Sequence, residues 1–277
     1  MPDDTLLSQV DERGVLTVTL NAPGVKNAID TQTQHRLVGL LQDAARDPGV
    51  KVLVLTGAGS AFCTGADVRS MGAPDPDDPI AQKWGDTAVW QDVEARVDRL
   101  RRLSQASVLL ARMGKPTIAM VRGPAAGLGF SLALACDFRI ASRTAALVTA
   151  FARIGMPGDY GGTYFLTKLV GPSKAKELYM LGDRVDAETA LRLGLFNRVV
   201  DDADLEAETQ GFAGRLAAGP PIALRYIKEN VDAALDGTLE SAVDMEARNM
   251  IRARLTSDAK EAMAAFLEKR APSFKGT

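Results

Sequence analysis

The chain has 277 residues, with 33 Lys or Arg against 35 Asp or Glu and a formal charge of −2. This balance gives no electrostatic case for nucleic acid or a membrane surface as a partner, and an aromatic content of 5% argues against a base-stacking platform. The length suits one large α/β domain, or such a domain with an appended helical module.

Strand and helix patterns alternate along the first part of the chain. Segments 14–20 and 50–57 are runs rich in β-branched residues that end at turn residues, which is typical of strands. Between them, Leu37 and the apolar residues three, four and seven positions later predict an amphipathic helix over 32–46. Residues 73–79, rich in Pro and Asp, predict an exposed loop, and the segment that follows it has a helical composition.

The middle of the chain continues the alternation. Segments 117–123, 138–142 and 197–200 are predicted strands, and a helix is predicted through 130–137. Because helical crossovers separate the strands, we expect mostly parallel pairing.

The strand signals disappear after about residue 205. Helices are predicted at 205–217, at 221–235, and at 239–270 with an interruption, where Asp258 and Glu261 have the spacing of a capping box. We therefore expect two parts, an α/β core over 1–204 and a C-terminal helical module over 205–277.

The two cysteines, Cys63 and Cys136, have no metal-ligand spacing and form no disulfide framework. The first 14 residues are acidic and lack the pattern of a secretory signal, and no stretch reaches the roughly 18 apolar residues of a membrane helix. These features predict a reduced, cytoplasmic setting without a metal.

Two strand–turn–helix corners, over 52–71 and 117–137, are rich in glycine and small residues. A helix that begins in such a corner leaves its first N–H groups unpaired at the positive end of the helix dipole. Two corners that face each other would offer two N–H donors to one developing oxyanion. For either corner alone, an ordinary loop in which glycine permits close packing is the default interpretation.

Five segments in order resemble the successive motifs of the crotonase superfamily, the enoyl-CoA hydratases and isomerases. These are NAPGVKNAID (21–30), GSAFCTGADVRSMG (59–72), GPAAGLGFSLALACDFRIAS (123–142), GDYGGTYFLTKLVG (158–171) and SDAKEAMAAFLEKRAPSFKG (257–276). The resemblance implies a spiral of ββα units with a helical C-terminal trimerisation region, assembled as a homotrimer or a dimer of trimers. It also implies an acyl-CoA substrate, with coenzyme A present only as part of the thioester.

The resemblance assigns the two oxyanion donors to the backbone N–H groups of Ala66 and Leu128. Relatives often carry Gly at the second position, so the Leu128 side chain must point away from the thioester. Asp67 is expected to cap a short helix that starts at residue 68. Cys63 has no histidine nearby in sequence, so a nucleophilic role is not favoured. The single histidine, His35, is expected to be solvated or structural.

The resemblance also concerns the acid–base groups. The two glutamates that hydratases of this family use fall on Ser131 and Phe151, neither of which is a carboxylate. Asp159 remains, at an offset where isomerases of the family carry an Asp, and one carboxylate is enough for a 1,3-proton shift. Enclosure by Phe130, Phe151 and Tyr160 would raise its pKa by desolvation. A turn stabilised by an Asx hydrogen bond is the alternative interpretation of Asp159.

The resemblance further assigns the binding of the coenzyme A part of the substrate to two segments and the last helix. The expected binding residues are Val25, Lys26, Asn27, Ala28, Thr64, Gly65, Ala66, Asp67, Val68, Phe266 and Lys269. Lys26 is suited to pair with a phosphate, whereas Phe266 and Lys269 are as well explained as a core aromatic and a solvated charge. The acyl pocket is expected between Met71 and Val108, with Trp84 and Trp90 as candidates for its wall.

Three other functions stay open alongside enoyl-CoA isomerisation by Asp159. A dinucleotide oxidoreductase is disfavoured, because the glycine corner at 127–129 lacks the third glycine of that fingerprint. A degenerate acyl-CoA-binding protein would not need Asp159. Hydration, thioester hydrolysis or carbon–carbon cleavage would use the same oxyanion pocket.

Overall fold

The computed structural model of the chain describes residues 5–67 and 92–277. Its strands are β1 Leu6–Val10, β2 Val15–Leu20, β3 Val52–Gly57, β4 Thr117–Val121, β5 Pro124–Ala126, β6 Phe138–Ser142, β7 Ala146–Val148, β8 Val185–Asp186 and β9 Arg198–Val200. Its helices are α1 Thr31–Arg46, α2 Val93–Leu103, α3 Gln105–Arg112, α4 Leu128–Ala135, α5 Gly162–Leu181, α6 Ala187–Arg192, α7 Leu205–Ala217, α8 Pro221–Asp236, α9 Leu239–Arg254 and α10 Ser257–Glu268.

A six-stranded sheet has the order β1-β2-β3-β4-β6-β9. From β2 onward every neighbouring pair is parallel, which confirms the prediction made from the helical crossovers. The antiparallel edge strand β1 was not predicted, because four of its five residues are exposed and give little hydrophobic pattern. A second sheet of three short strands, in the order β5-β7-β8, lies beside the glycine corner before α4.

The sheet is buried on both faces, as expected for parallel strands. On one face, Val52 and Val54 pack with the apolar side of α7. On the other face, Leu53 and Leu55 belong to the main core with α1, α3 and α4. All eight residues of α4 are buried, so this helix is held on every side. Its N-terminus is therefore fixed relative to the strands.

The C-terminal segment is helical, as predicted. The boundary at 204/205 stays a prediction, and α7 directly after it packs on the sheet of the core. The homotrimer or dimer of trimers also stays a prediction for this single chain. Among the described helices, none has both the length and the apolar character needed to cross a membrane.

The predicted capping box of α10 is wrong. Thr256 is the N-cap, and its side chain accepts a hydrogen bond from the Ala259 N–H. The carboxylate of Asp258 instead accepts the N–H groups of Lys275 and Gly276, at 2.7 and 2.8 Å. The sequence spacing matched a capping box, but this buried carboxylate is occupied by the N–H groups of the C-terminal tail.

Some sequence predictions lie outside the described residues. They are the loop at 73–79, the helix that Asp67 would cap, Val68 as a binding residue, Met71 at the start of the acyl pocket, and Trp84 and Trp90 as its wall.

Candidate active site

The two glycine corners pack against each other. Strand β5 joins the first corner through the Ala126 N–H, which donates to the Cys63 carbonyl oxygen at 2.9 Å. A Cβ added to Gly65 would lie 3.9 Å from the Leu128 nitrogen, and one added to Gly127 would lie 3.9 Å from the Gly65 Cα. The backbones of the two corners are thus in direct contact. The predicted approach of the two corners is present in the fold.

The orientation of the first candidate donor follows from its peptide plane. The Gly65 carbonyl oxygen accepts the Ile29 N–H at 2.9 Å, and the Asp67 N–H donates to the Ile29 carbonyl oxygen at 3.0 Å. In a planar trans peptide the C=O and the next N–H point in opposite directions. The Ala66 N–H therefore points away from Ile29, and within the described part of the chain it has no backbone acceptor.

The second candidate donor is the N–H of Leu128, the first residue of α4. The Gly127 carbonyl oxygen accepts the Ser131 N–H at 3.1 Å, so the Leu128 N–H of the same peptide points out of the helix start. Gly127 has φ +54° and ψ −123°, a conformation that favours glycine. The Leu128 side chain is 2% exposed and belongs to the main core.

Asp159 lies in the turn before α5. Burial raises the pKa of its carboxyl from 3.8 to about 6. One carboxyl oxygen, Oδ1, is buried and has no hydrogen-bond partner among residues 5–67 and 92–277. The turn is closed by the backbone, with the Gly162 N–H donating to the Asp159 carbonyl oxygen at 3.1 Å. In the described residues the Asx-turn bond of the alternative interpretation is not formed.

An aromatic cluster includes Phe151, which the family resemblance assigns to a glutamate position of hydratases. The Phe151 ring is parallel to the Tyr179 ring with centroids 6.1 Å apart, and Phe130 meets Tyr179 edge-on at 6.2 Å. Phe151 also lies beside the second corner, 3.9 Å from where a Cβ of Gly127 would be. Sequence reasoning did not single out Tyr179, because it lies 20 residues beyond Asp159 on α5.

Tyr160, predicted to enclose Asp159, is buried. Its hydroxyl donates to Oε1 of Gln34 on α1 at 2.6 Å. Burial, followed by the nearby Asp159 carboxylate, raises the pKa of the Tyr160 hydroxyl well above its usual value. The residue has φ +52°, so the turn that carries Asp159 is held in a conformation uncommon for a non-glycine residue.

The two segments predicted to hold coenzyme A lie side by side. Both the Thr64 N–H and the Thr64 hydroxyl donate to the Lys26 carbonyl oxygen, at 3.2 and 3.1 Å. Asn27 has φ +56°, and its side-chain amide donates to the Ala58 and Ala61 carbonyl oxygens. The Lys26 side chain is exposed next to the first corner. This arrangement is suited to a phosphate-bearing ligand.

Phe266 and Lys269, on and just after α10, are not joined to these segments by any hydrogen bond within the described residues. Phe266 is 84% exposed, so it is not the core aromatic of the alternative interpretation. Val108, at the end of the predicted acyl pocket, lines a largely apolar groove of about 750 Å³ between α3, α5 and α8.

Two other side chains that could react, those of Cys63 and His35, are fully and partly buried. Cys63 is fully buried, and desolvation raises the pKa of its thiol to about 12, which makes it a poor nucleophile at neutral pH. His35 is half-buried on α1. In the described part of the chain, no three His, Cys, Asp or Glu side chains cluster closely enough to hold a metal.

Comparisons with known proteins agree with this architecture. The sequence profile of the enoyl-CoA hydratase/isomerase family matches residues 11–277. The chain is 36% identical to 1,2-epoxyphenylacetyl-CoA isomerase from Escherichia coli, over 98% of both chains. It is 33% identical to crotonyl-CoA hydratase from Syntrophomonas wolfei, again over 98% of both. The crystal structure of enoyl-CoA hydratase from Bacillus anthracis superposes with a TM-score of 0.87 at 29% identity, covering 99% of this chain and 100% of that one.

Proposed function

This chain belongs to the enoyl-CoA hydratase/isomerase family, and within that family we propose that it moves a double bond of an enoyl-CoA thioester with Asp159 as its single acid–base group. The observation that carries the proposal is the state of that carboxyl. It combines a pKa raised to about 6 with a buried oxygen that lacks a partner among the described residues. A base near neutral pH needs both properties, since it must ionise and must be free to take a proton.

The proposed reaction involves the α-, β- and γ-carbons of the enoyl group. The ionised carboxylate of Asp159 removes a proton from the carbon at one end of this three-carbon unit. The electron pair moves into the conjugated system and places negative charge on the thioester oxygen. The N–H groups of Ala66 and Leu128 donate to that oxygen. The protonated Asp159 then returns the proton to the carbon at the other end, so atoms and charge balance without another reactant.

The surroundings of the base support isomerisation over hydration. Hydration requires a positioned water and a group that activates it. Ser131 and Phe151, which the family resemblance assigns to the glutamate positions of hydratases, bring no carboxylate. The Phe151 ring, stacked with Tyr179, instead adds an apolar surface that is unsuited to holding water.

The test is to incubate the protein with 2-enoyl-CoA and 3-enoyl-CoA in deuterated water and to analyse the products by mass spectrometry and NMR. We expect the positional isomer. Deuterium at the carbon that receives the proton measures the fraction of turnovers in which the protonated Asp159 exchanges with solvent before it returns the proton. Because the Escherichia coli relative is named for 1,2-epoxyphenylacetyl-CoA, that thioester is the third substrate. Asp159→Asn removes the base and should abolish turnover, whereas Asp43→Asn, an exposed carboxylate on α1, is the matched control.

Other products decide between the alternatives. A 3-hydroxyacyl-CoA as the sole product would contradict the proposal and favour hydration, and free coenzyme A would favour hydrolysis. Thioester binding without turnover of any of the three substrates, unchanged in Asp159→Asn, would favour a degenerate binding protein.

A further inference from the structure

Ser131 occupies the place of a missing glutamate and has an unusual set of partners. It lies in the first turn of α4 and is 0% exposed. Its Oγ lies 3.4 Å from the Gly127 carbonyl oxygen and 3.1 Å from the Asp159 carbonyl oxygen. A helical serine commonly bonds the carbonyl four residues earlier. The contact to Asp159 is different, because it crosses to a turn 28 residues away.

The two carbonyl groups belong to the two halves of the proposed site. Gly127 C=O and Leu128 N–H form one rigid peptide plane, so the position of that oxygen determines where the candidate donor points. The Asp159 carbonyl is on the residue that carries the proposed base. The Ser131 hydroxyl shares its proton between the two carbonyl oxygens. It therefore connects the peptide that carries the candidate donor with the turn that carries the proposed base.

The Ser131 hydroxyl lies in a closely packed space that it shares with the Tyr179 hydroxyl. A Cβ at Gly162 would clash with both the Ser131 Oγ and the Tyr179 Oη, and one at Gly158 would lie 3.0 Å from Cε1 of Tyr179. The glycines on either side of Asp159 thus admit Tyr179, which closes the space next to Ser131.

We propose that Ser131 is a positioning residue that fixes the distance and orientation of the Asp159 turn relative to the Leu128 N–H. The role of Asp159 in it rests on the proposed function. Ser131 itself touches no substrate in this scheme, and it acts through the two carbonyl groups.

The first test is Ser131→Ala. We expect kcat for the double-bond shift to fall by about tenfold, less than the loss of roughly 100- to 1000-fold typical when a donor is removed, with KM changed by less than twofold. The acid midpoint of the pH–rate profile should stay in place, because burial and not Ser131 raises the pKa of Asp159. Ser131→Cys replaces the hydroxyl by a somewhat larger thiol that keeps a weak S–H donor, so it should recover part of kcat.

The second readout is independent of turnover. Infrared difference spectra of bound butyryl-CoA labelled with ¹³C at the thioester carbonyl report how strongly the donors polarise that bond. We expect a carbonyl band lowered in the wild type and partly returned toward its solution frequency in Ser131→Ala. Thr209→Val is the matched control, because Thr209 on α7 is also buried but its hydroxyl has no hydrogen-bond partner in the described residues.

These measurements separate the two claims. Wild-type kcat and an unmoved band in Ser131→Ala would overturn the positioning role while leaving isomerisation intact. If the wild type hydrates instead of isomerising, the proposed function fails, but the band shift still tests the link between Ser131 and the Leu128 donor. If Ser131→Ala does not fold, the thioester carbonyl band is measured in Ser131→Cys instead. An unmoved band together with unchanged kcat in Ser131→Cys would overturn the inference.

Discussion

At the scale of single residues, the pH dependence of activity follows from Asp159. Since burial raises the pKa of this carboxyl to about 6, the base is protonated below that pH. We expect kcat/KM to fall about tenfold for each pH unit below about 6, as measured from initial rates between pH 4.5 and 8. A profile that is flat through pH 6 would contradict the assignment of the base.

The same shift predicts how folding stability depends on pH. The folded state holds the proton of Asp159 up to about pH 6, but the unfolded chain releases it near 3.8. The free energy of unfolding should therefore decrease as pH rises from about 4 to about 6. Asp159→Asn removes this loss, so we expect a variant more stable at pH 7.5 by roughly 1 to 3 kcal/mol and similar to wild type at pH 4. Urea denaturation of wild type and variant at both pH values measures this difference. A stability difference of the same size at pH 4 and at pH 7.5 would contradict the prediction.

Gly129 tests how closely the two corners must approach. A Cβ at this position would clash with the Cys63 carbonyl oxygen and lie 2.7 Å from the Cys63 Cβ. Gly129→Ala must push α4 away from the first corner and separate the two candidate donors. We expect kcat to fall by at least about 100-fold. Gly39→Ala, which places a Cβ in open space, should keep wild-type activity in the same assay.

At the scale of secondary-structure elements, the corrected start of α10 leads to a pair of contrasting variants. Thr256→Ala removes the cap and should lower stability by about 1 kcal/mol without releasing the C-terminal tail. Asp258→Ala removes the acceptors of the Lys275 and Gly276 N–H groups and should release it. Amide hydrogen exchange at Lys275 and Gly276 distinguishes the two, and faster exchange in both variants alike would contradict this division of roles.

Elements with a clear period were predictable from the sequence. The helix of α1 and the parallel strands were found because each buries a regular stripe or run of apolar residues. Strand β1 was missed because Leu6 is its only buried residue, and β5, β7 and β8 were missed because two or three residues show no period. The capping-box error at Asp258 arose because residues 275–276 are distant in sequence but adjacent in space.

The candidate site also has some features that were predictable from the sequence and others that were not. The glycine corners and Asp159 were identified because their motifs are local. The raised pKa of Asp159 was also predicted, from the aromatic residues expected around it. The bridge by Ser131 and the aromatic contact of Tyr179, in contrast, depend on packing between separate elements. No local pattern carries such contacts, so only the fold reveals them.

At the scale of the whole molecule, Lys228 joins the C-terminal helices to the core. Its ammonium on α8 donates to the Asp137 carboxylate at 2.8 Å and to the carbonyl oxygens of Leu110 and Lys115, both at 3.3 Å. Desolvation raises the pKa of Asp137 despite this partner, so loss of the ammonium would leave a poorly compensated buried charge.

Lys228→Met is therefore expected to lower the free energy of unfolding by roughly 2 to 4 kcal/mol at pH 7. Adding Asp137→Asn should restore part of that loss, because the uncompensated charge is then absent. Guanidinium denaturation of both variants gives the values, with the exposed Lys176→Met as control. Equal losses in the single and double variants would argue that packing, not charge, explains the effect.

The oxyanion donors that we propose, the N–H groups of Ala66 and Leu128, belong to the main chain, and this has a consequence for genetics. Every amino acid other than proline keeps the backbone N–H. Saturation mutagenesis at either residue would therefore leave the proposed donor in place in almost every variant. Replacing residue 66 with lactic acid by nonsense suppression turns that amide into an ester and deletes one hydrogen. We expect turnover to slow by roughly 100- to 1000-fold although the methyl side chain at residue 66 is unchanged.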